Sequence, residues 1–126
     1  MKRILLVEDD PFIIDIYTTK LRDSGFSVEA AREGESALRK LNEEKFNLLL
    51  LDIVLPQIDG WEILEKIKNE KLKMKNENLK DLKIIVLSNL GQKEEVEKGL
   101  RMGATKYLIK AYHTPSEVVE EIKKIL

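Results

Sequence analysis

The 126-residue sequence contains no cysteine, so neither a disulfide framework nor a thiolate zinc site is open to it. A reducing compartment fits that absence. An excess of charge of one sign is also missing: 22 basic residues stand against 23 acidic ones, for a formal net charge of −1. A chain that binds nucleic acid by itself is expected to carry a basic excess, so direct nucleic-acid binding is not expected. Long hydrophobic runs are absent too. The longest purely aliphatic stretches, such as Leu48–Leu51, are far shorter than the roughly 20 residues of a membrane-spanning helix. Met1-Lys2-Arg3 ahead of Ile4–Val7 begins like a secretory leader, but Glu8-Asp9-Asp10 cuts the run off well short of one. With no repeats or low-complexity tracts, one domain over residues 1–126 is expected, without membrane insertion and with a cytoplasmic location.

Five short apolar runs read as strands buried on both faces: Ile4–Val7, Val28–Ala31, Leu48–Leu51, Ile84–Leu87 and Tyr107–Ile109. Segments of helical spacing separate them. Phe12, Ile13, Ile16, Tyr17 and Leu21 form one stripe, closed by Gly25; Ala37, Leu38 and Leu41 a second; Trp61, Ile63, Leu64 and Ile67 a third. Val96, Leu100 and Met102 before Gly103 form a fourth. Thr114-Pro115-Ser116-Glu117 offers a capping box with proline at the first helical position, ahead of Val118, Val119, Ile122 and Ile125. Five strand-helix alternations predict an α/β fold, a parallel sheet with helices on both faces. Asn69–Lys83, rich in lysine and asparagine, reads as a frayed helix end and a solvated loop rather than a basic docking surface.

Polar residues end these runs at their carboxyl ends. Glu8-Asp9-Asp10 follows the first, Asp52 the third, Ser88-Asn89 the fourth and Lys110 the fifth. In an open parallel sheet those ends share one edge, where ligands bind. Several carboxylates in one pocket repel one another unless a cation joins them, and oxygen donors select a hard divalent ion such as Mg²⁺. Asp10-Pro11 reads more simply as a helix N-cap followed by the first helical residue. Asp52 follows four leucines, where an unpaired carboxylate would be costly, and a carboxylate beside a metal can be a nucleophile toward phosphorus. Lys110 and the Ser88 hydroxyl would complement the oxygens of a phosphoryl group.

Ile4-Leu5-Leu6-Val7-Glu8-Asp9-Asp10, Leu50-Leu51-Asp52-Ile53-Val54-Leu55-Pro56 with Asp59-Gly60, Val86-Leu87-Ser88, and Gly103-Ala104 with Tyr107-Leu108-Ile109-Lys110 stand in this order. Together they resemble the response-regulator receiver family of two-component signalling, from Lys2 to Ile125. The resemblance implies a three-layer flavodoxin-like (βα)5 fold with strand order 2-1-3-4-5. It implies Asp52 as phosphoacceptor, Asp9 as a direct Mg²⁺ ligand with Glu8 helping through water, and a metal contact from the Val54 carbonyl. Ser88 is implied to touch the phosphoryl group, Lys110 to ion-pair with it, and Tyr107 to act as the aromatic switch that follows Ser88. A sensor histidine kinase or phosphotransfer protein and a downstream effector are the implied partners. Beyond its own phosphoryl transfer and loss, no enzymatic activity is expected.

The sequence departs from the family's pattern at several positions. Ala111 stands where proline usually follows the lysine, so a trans Lys110–Ala111 bond or local strain is expected. Asn89 stands where small residues are common. Val54 and Leu90, flanking the path of an attacking water, are both apolar, which predicts slow self-dephosphorylation. Thr105-Lys106 replaces the acidic pair of the dimer-forming transcriptional branch, so a monomer or weak homodimer is expected. A haloacid-dehalogenase-type phosphatase would need an acid at Val54, and a flavodoxin a phosphate loop where Glu8, Asp9 and Asp10 stand. The rival from another class is an unphosphorylated, receiver-like protein-interaction module.

Overall fold

A computed structural model describes residues 1–73 and 77–126. The strands are β1 (Arg3–Val7), β2 (Ser27–Ala31), β3 (Leu48–Leu51), β4 (Lys83–Ser88) and β5 (Lys106–Ile109). The helices are α1 (Pro11–Asp23), α2 (Gly34–Glu43), α3 (Gly60–Lys73), α4 (Lys93–Arg101) and α5 (Pro115–Ile125). All pairings are parallel and the order is β2-β1-β3-β4-β5, the doubly wound arrangement.

Alternation along each strand divides the core into two layers. Leu5, Val7, Leu49, Leu51, Ile84 and Val86 pack with Ala37 and Leu41 of α2 and Ile63, Leu64 and Ile67 of α3. Ile4, Leu6, Leu48, Leu50, Ile85 and Leu87 pack with Tyr17 and Leu21 of α1 and Val118, Val119 and Ile122 of α5. Every residue of β3 is buried, which accounts for its unbroken leucine run.

Helix ends follow the local chemistry. Asp10 caps α1 by accepting from the Phe12 N–H at 2.9 Å, and Thr114 and Glu117 form the reciprocal box that opens α5. Gly25, at φ 93°, carries the chain out of α1.

Four expectations are corrected. The edge strands β2 and β5, read as buried on both faces, are only partly buried, since each has a neighbouring strand on one side alone. The buried face of α1 is Ile13, Ile14, Tyr17 and Leu21, while Phe12 is 78% exposed. Ile16 is exposed as well; α1 carries apolar side chains around more of its circumference than the sheet can cover. In α4 the buried residue is Gly99 rather than the bulkier Leu100. The segment read as a solvated loop instead anchors itself: Leu79, in a one-turn 3-10 helix (Glu77–Leu79), and Leu82 are buried, and Lys71 Nζ donates to the Leu82 carbonyl at 3.0 Å. Residues 74–76 of that segment lie outside the described residues.

Candidate functional site

The carboxyl ends of β1, β3 and β5 bring Glu8, Asp9, Asp52 and Lys110 together. Asp52 is 8% exposed and Glu8 only 2%, whereas Asp9 is open to solvent. One carboxylate oxygen from each of Glu8, Asp9 and Asp52 lies within 4.8 Å of the others. Lys110 Nζ donates to Glu8 Oε1 at 2.6 Å and to Asp52 Oδ2 at 2.9 Å, although 102 and 58 positions separate it from them in sequence.

Backbone groups complete the cradle. The Val54 N–H donates to Asp52 Oδ1 at 3.2 Å, so both Asp52 oxygens are engaged, and the Asp9 N–H donates to Glu8 Oε2 at 3.1 Å. Gly60 holds the strand end closely: its N–H donates to the Ile53 carbonyl at 2.8 Å. A Cβ at Gly60 would fall 2.6 Å from Ile53 Cα. The Lys110–Ala111 bond is trans, and Lys110 opens a one-turn 3-10 helix reaching Tyr112.

The electrostatics follow from burial and proximity. Burial, then the neighbouring Asp52, pushes the Glu8 carboxyl up to about 7, against the pull of Lys110. Burial opposes the charge on Lys110, but the hydrogen bonds and fields of Glu8 and Asp52 outweigh it and hold the ammonium above its ordinary range. Among the described residues, three carboxylates against one contacting ammonium leave two negative charges unmatched when all are ionised. The donor set is entirely oxygen, so the residues fit a hard divalent cation of the Mg²⁺ kind.

Ser88 and Tyr107 meet at a different point, Leu90. The Leu90 N–H donates to Ser88 Oγ at 3.2 Å, and the Tyr107 hydroxyl donates to the Leu90 carbonyl at 2.5 Å. Ser88 is fully buried at the end of β4.

Sequence reasoning missed Arg32, whose guanidinium donates to the Asp9 carbonyl at 3.2 Å. The rule that located the other residues would have found it, since Arg32 directly follows the carboxyl end of β2. It also missed that Trp61 packs under Lys98, with Nζ 4.3 Å from the ring centroid; nothing in the spacing linked two residues on different helices.

Comparison with known proteins agrees with this geometry. The family model described as response regulator receiver domain matches residues 4–123. The alkaline phosphatase synthesis transcriptional regulatory protein PhoP of Bacillus subtilis is 35% identical over 99% of this chain and 48% of its own length. The chain thus spans about half the length of the curated relatives it matches. A CheY-like response regulator receiver domain protein from Methanospirillum hungatei superposes with a TM-score of 0.85 at 35% identity, covering 99% of this chain and 93% of that one. The response regulator TrrA of Thermotoga maritima, solved in complex with Mg(2+)-BeF, gives 0.82 at 32% identity, with 100% of both chains covered. The sheet order, the acidic pocket and these matches converge on one conclusion: the chain belongs to the response regulator receiver domain family of two-component signalling.

Proposed function

We propose that Asp52 accepts a phosphoryl group from a partner histidine kinase or phosphotransfer protein, and that the modified chain signals to a downstream effector. The observation that carries this reading is Asp52 itself. It is a nearly buried carboxylate at a strand end, shared between Lys110 Nζ and the Val54 N–H and grouped with Glu8 and Asp9. A purely structural acid would not need two further acids beside it.

In the step, an Asp52 oxygen forms a bond to phosphorus as the bond to the donor's imidazole nitrogen breaks, and that nitrogen keeps the electron pair. Asp9 and Asp52, with the Val54 carbonyl and with Glu8 through water, would hold Mg²⁺, which supplies positive charge against the phosphoryl oxygens. Lys110 orients Asp52 beforehand and then pairs with the transferred group. The chain's catalysis is confined to gaining and losing its own phosphoryl group, at a cytoplasmic location.

The switch runs through Leu90. When the Ser88 hydroxyl turns to a phosphoryl oxygen, it gives up the Leu90 N–H, and the Leu90 carbonyl links that change to Tyr107. The surface of α4, β5 and α5 then shifts in population, and partners that prefer one state read it.

Incubation with Mg²⁺ and acetyl phosphate, followed by intact mass measurement, tests the reading. A gain of one phosphoryl group that Asp52→Asn abolishes is expected. No gain in the wild type would overturn it in favour of the interaction module.

A further inference from the structure

Glycine is the poorest helix former after proline, yet Gly99 lies inside α4 and is that helix's buried residue. The ring of Tyr107 explains the choice. A Cβ at position 99 would stand 2.6 Å from Tyr107 Cδ2 and 2.9 Å from Cε2, far inside the roughly 3.5–4.0 Å at which carbon atoms rest. The helix therefore has a notch one methyl group deep, and the ring fills it.

From that seat the Tyr107 hydroxyl reaches the Leu90 carbonyl, while the Leu90 N–H is held by Ser88. Both polar groups of one residue in the connection between β4 and α4 are thus tethered, one by each switch residue. Burial first, and then nearby Glu95, keeps the phenol above its ordinary range, so the hydroxyl retains the proton it donates.

We propose that Gly99 is a positioning residue: the missing side chain in α4 is what admits Tyr107 inward and lets it hold Leu90. A methyl group at position 99 collides with the ring itself, and the ring is rigid beyond its two torsions. The relief open to it is to rotate away, which breaks the contact with Leu90. The identity of residue 99 therefore sets the balance between inward and outward Tyr107. The consequence for signalling rests on the function proposed above; the positioning does not.

A double-mutant cycle tests the proposal without any phosphorylation. In a Tyr107→Ala background the notch is empty, and Gly99→Ala is expected to raise Tm by about 3–5 °C through helix propensity. With Tyr107 present that gain is expected to vanish or reverse. An equal gain in both backgrounds would overturn the proposal.

Ring resonances of labelled tyrosine give the second readout. Cross-relaxation between the Tyr107 ring and residue 99 is expected in the wild type and lost in Gly99→Ala; ring contacts and shifts unchanged by the substitution would likewise overturn it. If the wild type takes up no phosphoryl group while the cycle is coupled, the proposed function fails and the positioning role stands. If the wild type is phosphorylated while the cycle is additive, the positioning role fails and the proposed function stands.

Discussion

The ammonium of Lys110 lies 2.6 Å from Oε1 of Glu8, a carboxylate that is only 2% exposed. The same nitrogen serves Asp52, so Lys110 is the contacting cation for two nearly buried acids. Lys110→Met removes it and leaves them facing each other. Breaking such a pair from one side is expected to cost about 2–4 kcal/mol in metal-free urea unfolding at pH 7.5. The loss is expected to shrink at pH 5, where Glu8 is protonated. An equal loss at both pH values would contradict this account of the pair.

Glu8 also gives the metal-free chain an unusual pH response. Its carboxyl titrates near 7 when folded, against the ordinary 4.5 when unfolded. Between those values the folded chain holds a proton that the unfolded chain has lost. The contribution to stability is therefore fully present below about 4.5 and is lost as pH rises through about 7. Metal-free unfolding free energy is expected to fall by about 2–3 kcal/mol from pH 5 to pH 8. Saturating Mg²⁺, which favours the ionised form, is expected to flatten or reverse the trend. Glu29 acts in the opposite sense: Lys40 and then Arg3 hold its carboxyl below the usual range, so its contribution is lost only as pH falls through that lower value. The two effects occupy separate windows in one pH series.

Gly60→Ala tests how closely the chain must return to the end of β3. The added methyl would lie 2.6 Å from Ile53 Cα and 2.8 Å from the Asp52 carbonyl, both backbone atoms that no rotamer change can move aside. A loss of about 1–3 kcal/mol is expected in thermal or urea unfolding. Because the displaced segment carries Asp52, uptake from acetyl phosphate should fall as well. Wild-type stability with wild-type uptake would show that the segment yields freely.

How much of this was legible beforehand depended on whether sequence alone carried the constraint. Strands β1, β3 and β4 were readable because they bury both faces; the edge strands β2 and β5 are only partly buried and were read from their apolar residues alone, and the structure mainly adds a flanking residue such as Arg3, Ser27 or Lys106 that pairs in the sheet without full burial. The strand-end rule brought Glu8, Asp9, Asp52 and Lys110 to one edge without any alignment of their positions. It did not reveal that Glu8 is buried against Lys110 while Asp9 faces solvent; that follows from the pleat and from where Lys110 reaches. The exposure of Phe12 and Ile16 was hidden for a related reason, since periodicity marks apolar residues but not which arc of the helix the sheet covers. Leu79 and Leu82 were obscured by the polar residues around them.

The two apolar side chains flanking the water path differ in how they can be changed. Val54 is 59% exposed, so Val54→Asn meets no packing penalty and places a hydrogen-bonding group beside Asp52. Leu90 is half-buried and packed against the core, while its backbone carbonyl is held by the Tyr107 hydroxyl independently of its side chain. Leu90→Glu should therefore lower Tm yet keep the loop's course, and its carboxylate can orient a water toward phosphorus. Each substitution is expected to shorten the phosphoryl lifetime, and the pair together by about tenfold or more, measured as loss of the phosphorylated mass after the donor is removed. Because only the second variant loses packing, a faster loss in both cannot be ascribed to loosened structure. Lifetimes unchanged in the double variant would mean that water reaches Asp52 by another route.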